Sequence, residues 1–141
     1  MRKKSITLST LGALVLALLI VFSRSYQPSI HASDIIESTV RFVVDGDSLY
    51  LENYQPQIRL WGVDAPEKNE SGYDQARQQL TQLGLNQKVS CEIVDLDKYD
   101  RTVARCFLDN GNEINRLMIE SGSAKEYMRF TKGYYSTTKS E

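Results

Sequence analysis

The residues best suited to chemistry are three carboxylates at the ends of two predicted strands. Asp47 follows an Asp-Gly turn in the sequence VVDGDSLYL, and Asp64 and Glu67 flank an Ala-Pro pair in IRLWGVDAPE. Two strand ends can meet at one edge of a small barrel. Asp47 and Asp64 would then share a hard cation such as Ca²⁺ or Mg²⁺, with a backbone carbonyl near Ala65 and waters completing the shell. Taken alone, each cluster is more typical of a polar turn or a salt-bridged loop.

Two arginines accompany these carboxylates and extend the chemistry that the set can perform. Arg59 lies on the strand that leads to Asp64, and Arg101 ends the sequence DKYDR. A guanidinium group presents a planar fork of donors that matches a phosphate. With a cation to stabilise charge and with Glu67 to take a proton from water, the arginines form a set suited to phosphodiester hydrolysis.

Composition excludes several other kinds of site. The single histidine is His31, so residues 33–141 have none for a Ser-His-Asp triad or a zinc site. Four of the 17 basic side chains and none of the 18 acidic ones lie in residues 1–32, which leaves residues 33–141 with a formal net charge of −5. This charge argues against a protein that coats nucleic acid through bulk charge, so any contact with phosphate must be local or mediated by a cation.

The first 32 residues have the pattern of a leader. A basic cluster at positions 2–4 precedes an apolar run at residues 11–22, which has the length of a signal-peptide core and is short for a transmembrane helix. Cleavage after Ala32 predicts a secreted or cell-envelope (periplasmic) protein, and the alternative is an uncleaved membrane anchor formed by residues 6–22. We expect residues 33–141 to be one domain, monomeric and without an obligate protein partner.

Hydrophobic patterning predicts a mainly β, α+β fold for this domain. Alternating or β-branched residues predict five strands, at residues 37–44, 48–52, 57–61, 88–94 and 102–108. Apolar residues spaced by three and four predict one helix at 72–83 and a second that Asn112 caps and Gly122 ends. Residues 63–67 are predicted to be a loop, because Pro66 cannot donate to a sheet. This order suggests a five-stranded Greek-key barrel of the OB type, which often binds oligonucleotides on one face.

Cys91 and Cys106 are predicted to form a disulfide. Each alternates with apolar residues along its strand, so both side chains point to the apolar face of strands that should be neighbours. An exported protein meets conditions that permit oxidation. The alternative is two free, buried cysteines, because cross-strand disulfide geometry is demanding.

Three motifs in order, VVDGDSLYL, IRLWGVDAPE and DKYDRTVARCFL, resemble the staphylococcal nuclease (thermonuclease) family over about residues 37–135. The resemblance implies an OB-fold barrel and Ca²⁺-dependent hydrolysis of DNA and RNA. It also implies calcium ligands, phosphate-binding and general-base residues, and residues that line the nucleotide site. The implied calcium ligands are Asp47, Asp64 and the carbonyl of Ala65. The implied phosphate-binding residues are Arg59 and Arg101, and the implied general base is Glu67. The residues implied to line the nucleotide site are Lys98, Tyr99 and Tyr127.

The sequence departs from the family pattern at two places. Asp100 stands where the family usually has glycine, which matters if that residue needs positive φ, and it adds a negative charge beside Arg101. Family members usually continue past the equivalent of Tyr135 into a last helix packed on the barrel. We expect that final helix to be truncated here.

Two other functions compete with a metal-dependent nuclease. One is a non-catalytic OB-fold module that binds nucleic acid, and the paired carboxylates argue against it because a binder does not need them. The other is a calcium-binding interaction domain, and the arginines argue against it because a plain cation site would not favour positive charge so near.

Overall fold

A closed five-stranded barrel is the main feature of the computed structural model, which describes residues 34–137. In chain order the elements are β1 (Ile35–Val43), β2 (Ser48–Leu51), β3 (Ile58–Leu60), β4 (Val63–Asp64), α1 (Tyr73–Gly84), β5 (Lys88–Leu96), β6 (Thr102–Leu108), α2 (Ile114–Glu120), β7 (Lys125–Glu126), α3 (Met128–Thr131) and α4 (Tyr134–Thr137). The barrel closes in the order β1-β2-β3-β6-β5. Strands β3 and β6 are parallel, and the other neighbouring pairs are antiparallel. The predicted mainly β barrel is therefore confirmed.

A second, two-stranded sheet was not predicted. β4 pairs antiparallel with β7, so that Val63 lies opposite Glu126 and Asp64 lies opposite Lys125. The prediction that residues 63–67 form only a loop was wrong for the first two of them. Two-residue strands carry no readable alternation, and their pairing depends on a partner about sixty residues away.

Helix α2 begins at a different residue from the predicted one. Glu113, rather than Asn112, is its N-cap residue, and it makes no side-chain capping hydrogen bond. The Glu113 carboxylate instead accepts hydrogen bonds from Arg105 Nε at 3.0 Å and from the Tyr135 hydroxyl at 2.6 Å. Tertiary contacts therefore fix the start of this helix where the sequence predicted a local cap.

The hydrophobic core fills the barrel and continues beneath α1 and α2. The apolar stripes predicted for the two helices supply Ala76, Leu80, Ile114 and Met118, all fully buried. The largest fully buried aliphatic side chains of the strands are Val40, Leu49, Leu51, Ile58, Leu60 and Val63. Burial of this apolar surface is the main force that closes the barrel and so fixes the strand ends that carry the candidate site.

The predicted disulfide is present inside this core. Cys91 on β5 and Cys106 on β6 are directly opposite each other, with a Cα–Cα distance of 4.1 Å and an S–S distance of 2.03 Å. Both residues are fully buried. The bond joins the two strands that flank the loop carrying Arg101.

Residues of α2 and residues after β7 contact the turn between β3 and β4. The backbone N–H of Tyr127 donates to the Gly62 carbonyl at 2.8 Å, and Asn115 Nδ2 donates to the Trp61 carbonyl at 3.0 Å. Gly62 has φ +72°, and a Cβ atom there would collide with the Thr131 side chain, so this position needs glycine for both conformation and space. These contacts fix the turn that separates Arg59 from the acidic residues.

Within residues 34–137 no helix is long and apolar enough to cross a membrane. The leader predicted for residues 1–32 lies outside the described residues. The continuation of the chain past Thr137, where the truncated final helix was predicted, also lies outside them.

Candidate active site

Five of the predicted site residues line a single groove, which we call the arginine groove. It has a volume of about 590 Å³ and lies between the β3–β4 turn, strands β5 and β6, and helix α3. The five residues are Arg59, Lys98, Tyr99, Arg101 and Tyr127. The fold thus brings together, from three separate parts of the chain, the groups that the resemblance assigns to the phosphate and the nucleotide.

The loop between β5 and β6 holds Arg101 in the groove through Asp97. Asp97 Oδ2 accepts a hydrogen bond from Arg101 Nε at 2.6 Å, and Oδ1 accepts from the backbone N–H groups of Tyr99 at 2.9 Å and Arg101 at 3.0 Å. Burial acts to raise the pKa of Asp97, but the hydrogen bonds and the charge of Arg101 outweigh it and lower the pKa. Asp97 therefore stays ionised. The two terminal nitrogens of Arg101 have no hydrogen-bond partner within residues 34–137, so they are available to a phosphate.

Arg59 is held more tightly by the protein than the sequence suggested. Its Nη1 donates to the carbonyls of Val63 at 2.8 Å and Leu60 at 3.1 Å, and its Nη2 lies 3.2 Å from Asp47 Oδ2. These contacts use much of the guanidinium fork to fix the β3–β4 turn. Arg59 therefore contributes positive charge to the groove while also setting the position of the residues that follow it.

Asp47 is a buried carboxylate, 6% exposed, between Arg59 and the loop after β4. Its Oδ2 accepts a hydrogen bond from the backbone N–H of Ala65 at 3.1 Å, and its Oδ1 accepts from the Ser48 hydroxyl at 3.1 Å. Burial, together with the nearby charge of Asp45, outweighs the attraction of Arg59 and raises the pKa of Asp47 to about 6. The ionised form of Asp47 is therefore poorly compensated by the protein itself.

The remaining predicted residues line a second groove, of about 570 Å³, which we call the acidic groove. They are Asp64, Ala65 and Glu67. The side chains of Asp64 and Glu67 are exposed, and the Glu67 backbone N–H donates to Glu70 Oε2 at 2.8 Å. The structure does not place these residues on the lining of the arginine groove. Asp47 connects the two grooves, because it contacts Arg59 on one side and Ala65 on the other.

The acidic donors fit a hard cation in chemical type. Asp47, Asp64 and the Ala65 carbonyl offer only oxygen ligands, which suit Ca²⁺ and Mg²⁺. Among the residues that the structure describes, no three His, Cys, Asp or Glu side chains are grouped closely enough to hold a metal ion. A cation at this position would therefore take much of its shell from water and substrate. Its charge would also offset the unfavourable burial of ionised Asp47.

Sequence reasoning missed several groups that shape the arginine groove. Asp97 was not singled out. The sequence could have indicated it, because an aspartate side chain often accepts a hydrogen bond from the backbone N–H two residues later in a turn. Arg129 and Phe130, on α3, also line the groove. The Phe130 side chain is 58% exposed and its ring lies 4.8 Å from the Tyr127 ring. No local pattern placed these two residues near β5 and β6.

Comparison with curated proteins identifies relatives named as nucleases and one named for another process. The chain is 30% identical to the succinoglycan biosynthesis protein ExoI of Rhizobium meliloti (strain 1021), over 96% of this chain and 72% of that protein. It is 30% identical to the micrococcal nuclease of Shigella flexneri, over 64% of this chain and 58% of that protein. It is 34% identical to the probable endonuclease LCL3 of Komagataella phaffii (strain GS115 / ATCC 20864), over 55% of this chain and 38% of that protein. The chain thus spans less than two thirds of two of these relatives.

A family comparison covers two of the three motifs, IRLWGVDAPE and DKYDRTVARCFL, whereas VVDGDSLYL, which carries Asp47, lies before the matched residues. The sequence model described as Staphylococcal nuclease homologue matches residues 57–140, which include the third strand and the residues that line both grooves after it. Because this match covers more than half of the chain, the chain belongs to the staphylococcal nuclease homologue family.

Proposed function

We propose that this protein is a calcium-dependent nuclease that hydrolyses phosphodiester bonds of DNA, RNA or both. The observation that carries the proposal is the arginine groove, in which three arginines, a lysine and exposed aromatic rings line one cavity. Guanidinium groups suit a phosphate, and aromatic faces suit a base. Family membership and the relatives named as nucleases support the same activity.

Two kinds of side chain have distinct tasks in this reaction. Arg101 donates from its terminal nitrogens to the phosphoryl oxygens, where negative charge increases in the transition state, and Arg59 adds positive charge from the floor of the groove. Glu67 takes a proton from the attacking water. The exposed position of Glu67 allows a water molecule to reach its carboxylate.

Asp47, Asp64 and the Ala65 carbonyl are the residues that would hold the calcium ion. When bound, the ion would supply further positive charge to the phosphoryl group and help to orient it. Asp47 has a second task that needs no ion. Its Oδ2 forms an ion pair with Arg59 and accepts a hydrogen bond from the Ala65 backbone N–H, and so keeps the phosphate-binding side of the site in register with the loop that carries Glu67.

Cleavage of plasmid DNA and of RNA, with calcium and with EDTA, tests this proposal. We expect cleavage with calcium and its loss with EDTA. Glu67→Gln should lower turnover by a factor on the order of 10² or more with little change in calcium affinity, because it removes the proton acceptor and leaves the proposed ligands intact. Glu37→Gln is the matched control, since it makes the same change at an exposed carboxylate of β1 that lines neither groove. Cleavage unaffected by EDTA, or Glu67→Gln turnover equal to wild type, would refute the proposed site.

The same assay separates the enzyme from a non-catalytic binding module. A module would shift the migration of a labelled oligonucleotide without shortening it, whether or not calcium is present. The paired carboxylates support the enzyme, because ionised acids beside a phosphate weaken simple binding.

We also propose that the protein is exported, secreted or held in the cell envelope. The basic and apolar pattern of residues 1–32 supports export, and so does the buried disulfide, because such bonds persist in oxidising compartments. N-terminal sequencing of the mature protein should begin near Ser33. A protein recovered from the cytoplasm with Met1 retained would contradict export.

A further inference from the structure

The arginine groove is larger than one phosphate needs, and only two of its four basic side chains form a salt bridge with a described carboxylate. A cavity of about 590 Å³ falls in the size range of sites that enclose a drug-sized molecule. Of its four basic side chains, Arg59 is paired with Asp47 and Arg101 is paired with Asp97. Within residues 34–137 the other two, Lys98 and Arg129, form no salt bridge.

Arg129 lies on a different element from every basic residue that the family motifs supply. It is an exposed residue of α3, adjacent to Phe130 and on the helix that follows β7. Lys98 and Arg101 come from the β5–β6 loop, and Arg59 comes from β3. Positive charge is thus present on both walls of the groove, and Arg129 on the α3 wall forms no salt bridge with a carboxylate of residues 34–137.

Exposed apolar side chains accompany this charge. Val94, Tyr99 and Phe130 are 47%, 67% and 58% exposed and line the same groove. A groove that combines unpaired cations with exposed rings matches a single nucleic-acid strand, whose phosphates and unpaired bases alternate. It matches an apolar peptide poorly, because the charges of Lys98 and Arg129 would then be left without partners.

We propose that Arg129 binds a phosphate of the substrate strand next to the scissile one, and so makes the site selective for a strand with flanking phosphates. This inference rests on the proposed nuclease function and adds a subsite to it. Arg129 does not touch the reacting phosphorus. It contributes to binding, through a charge-assisted contact with a phosphate that is not cleaved.

Single-stranded oligonucleotides with one neutral linkage test the subsite. In each oligonucleotide, a methylphosphonate replaces one phosphate beside the linkage that the full wild-type chain cleaves. With the all-phosphate strand, Arg129→Gln should raise KM about fivefold and lower the salt dependence of log KM by about 0.7, the value for one contact to single-stranded nucleic acid. Arg129→Lys should keep part of the affinity, because it retains the charge but lacks the fork.

The neutral linkage identifies the phosphate that Arg129 contacts. At one flanking position, the methylphosphonate should raise the wild-type KM by a similar factor and should make wild type and Arg129→Gln equal. Arg77→Gln is the matched control, because Arg77 is an exposed arginine on α1 that does not line the groove. It should behave as wild type on every strand.

The outcomes separate this inference from the proposed function. Failure of the wild type to cleave any strand would refute the function and the subsite together. Normal cleavage with an unchanged KM in Arg129→Gln would overturn the subsite and leave the function in place. If Arg129→Gln raised KM over wild type by the same factor on every methylphosphonate strand, the subsite would also be overturned. The effect of Arg129 would then not depend on any one flanking phosphate.

Discussion

Two arginine–carboxylate pairs flank the arginine groove, and their environments differ in kind. Asp97 and Arg101 belong to one surface loop and lie 2.6 Å apart, with the Asp97 and Arg101 side chains 19% and 28% exposed. Asp47 and Arg59 belong to different strand ends and lie 3.2 Å apart, and their side chains are 9% and 17% exposed. The pKa of Asp97 is lowered, whereas that of Asp47 is raised to about 6.

The difference shows that one arginine does not by itself keep a carboxylate ionised at low cost. Asp97 is partly solvated and accepts three hydrogen bonds from its own loop. Asp47 has lost most of its water, and the neighbouring Asp45 adds repulsion. The Asp97–Arg101 pair is therefore complete without a ligand. The Asp47–Arg59 pair would gain from a further cation, which is consistent with the calcium proposed next to Asp47.

The largest expected effect comes from Asp47→Asn. This change removes the charge of a proposed calcium ligand and of the partner of Arg59 while keeping the side-chain shape. Turnover should fall by a factor on the order of 10² or more, and calcium affinity should fall with it. Calcium titration followed by fluorescence or calorimetry, beside the cleavage assay, measures both quantities.

Asp45→Asn is the control for Asp47→Asn, since it removes a nearby negative charge that is not a proposed ligand. It should reduce calcium affinity much less. Undiminished calcium affinity in Asp47→Asn would contradict the placement of the ion.

A smaller loss is expected from Asp97→Asn. The asparagine oxygen can still accept from the loop backbone, but its NH₂ group cannot accept from Arg101 Nε, so the guanidinium loses its anchor. The ratio kcat/KM should fall about tenfold, with calcium affinity unchanged. Steady-state kinetics with calcium titration check this prediction.

The matched control for Asp97→Asn is Asp109→Asn, in the turn after β6 and outside the groove. Equal losses in the two variants would mean that Asp97 does not position Arg101. A fall in calcium affinity for Asp97→Asn would mean that the two pairs are not independent.

Much of this fold could be predicted because its signals are local. The alternation along β5 and β6 predicted that Cys91 and Cys106 share the apolar face of neighbouring strands, and the structure places them opposite each other. The apolar stripe of the second predicted helix supplies Ile114 and Met118, which lie in the core. The site residues could be named because they lie in short motifs whose order is readable.

The division of the site into two grooves could not be predicted in the same way. The division depends on which wall each strand end faces. That orientation is set by tertiary contacts, such as the one between Asp47 and Ala65, which are 18 residues apart. The motif IRLWGVDAPE places Glu67 close to Arg59 in sequence, whereas the structure places it on the lining of the acidic groove. Arg129 was missed because α3 reaches the groove through the pairing of β7 with β4, two strands of two residues each.

The two pairs should respond oppositely to pH in the absence of calcium. The pKa of Asp47 is higher in the folded than in the unfolded state, so the folded state binds more protons between about pH 4 and 6 and the free energy of unfolding falls as pH rises through that range. The change is on the order of 2 kcal/mol. The lowered pKa of Asp97 contributes stability that is present above the unfolded pKa and is lost as pH falls through the folded pKa.

Denaturant unfolding in EDTA at several pH values checks both signs. Asp47→Asn should flatten the profile between pH 4 and 6, and Asp97→Asn should weaken the loss at lower pH. Calcium should remove much of the Asp47 slope, because it favours the ionised form. A wild-type stability that rises from pH 4 to 6 would contradict the account of Asp47.

The smallest effects are expected at Asp100, which adds a second carboxylate beside Arg101 and has φ +59°. Asp100→Asn keeps a side chain that tolerates this conformation but removes the charge, so KM for nucleic acid should fall about twofold with unchanged stability. Asp100→Gly should give the same KM. Its free energy of unfolding should change by less than about 1 kcal/mol, because relief of the left-handed conformation opposes the greater freedom of glycine in the unfolded chain. Asp100→Ala removes the charge but tolerates positive φ less well, so it should be the least stable of the three. If Asp100→Asn left KM unchanged, the negative charge of Asp100 would not weaken the binding of nucleic acid at Arg101, and the prediction would be wrong.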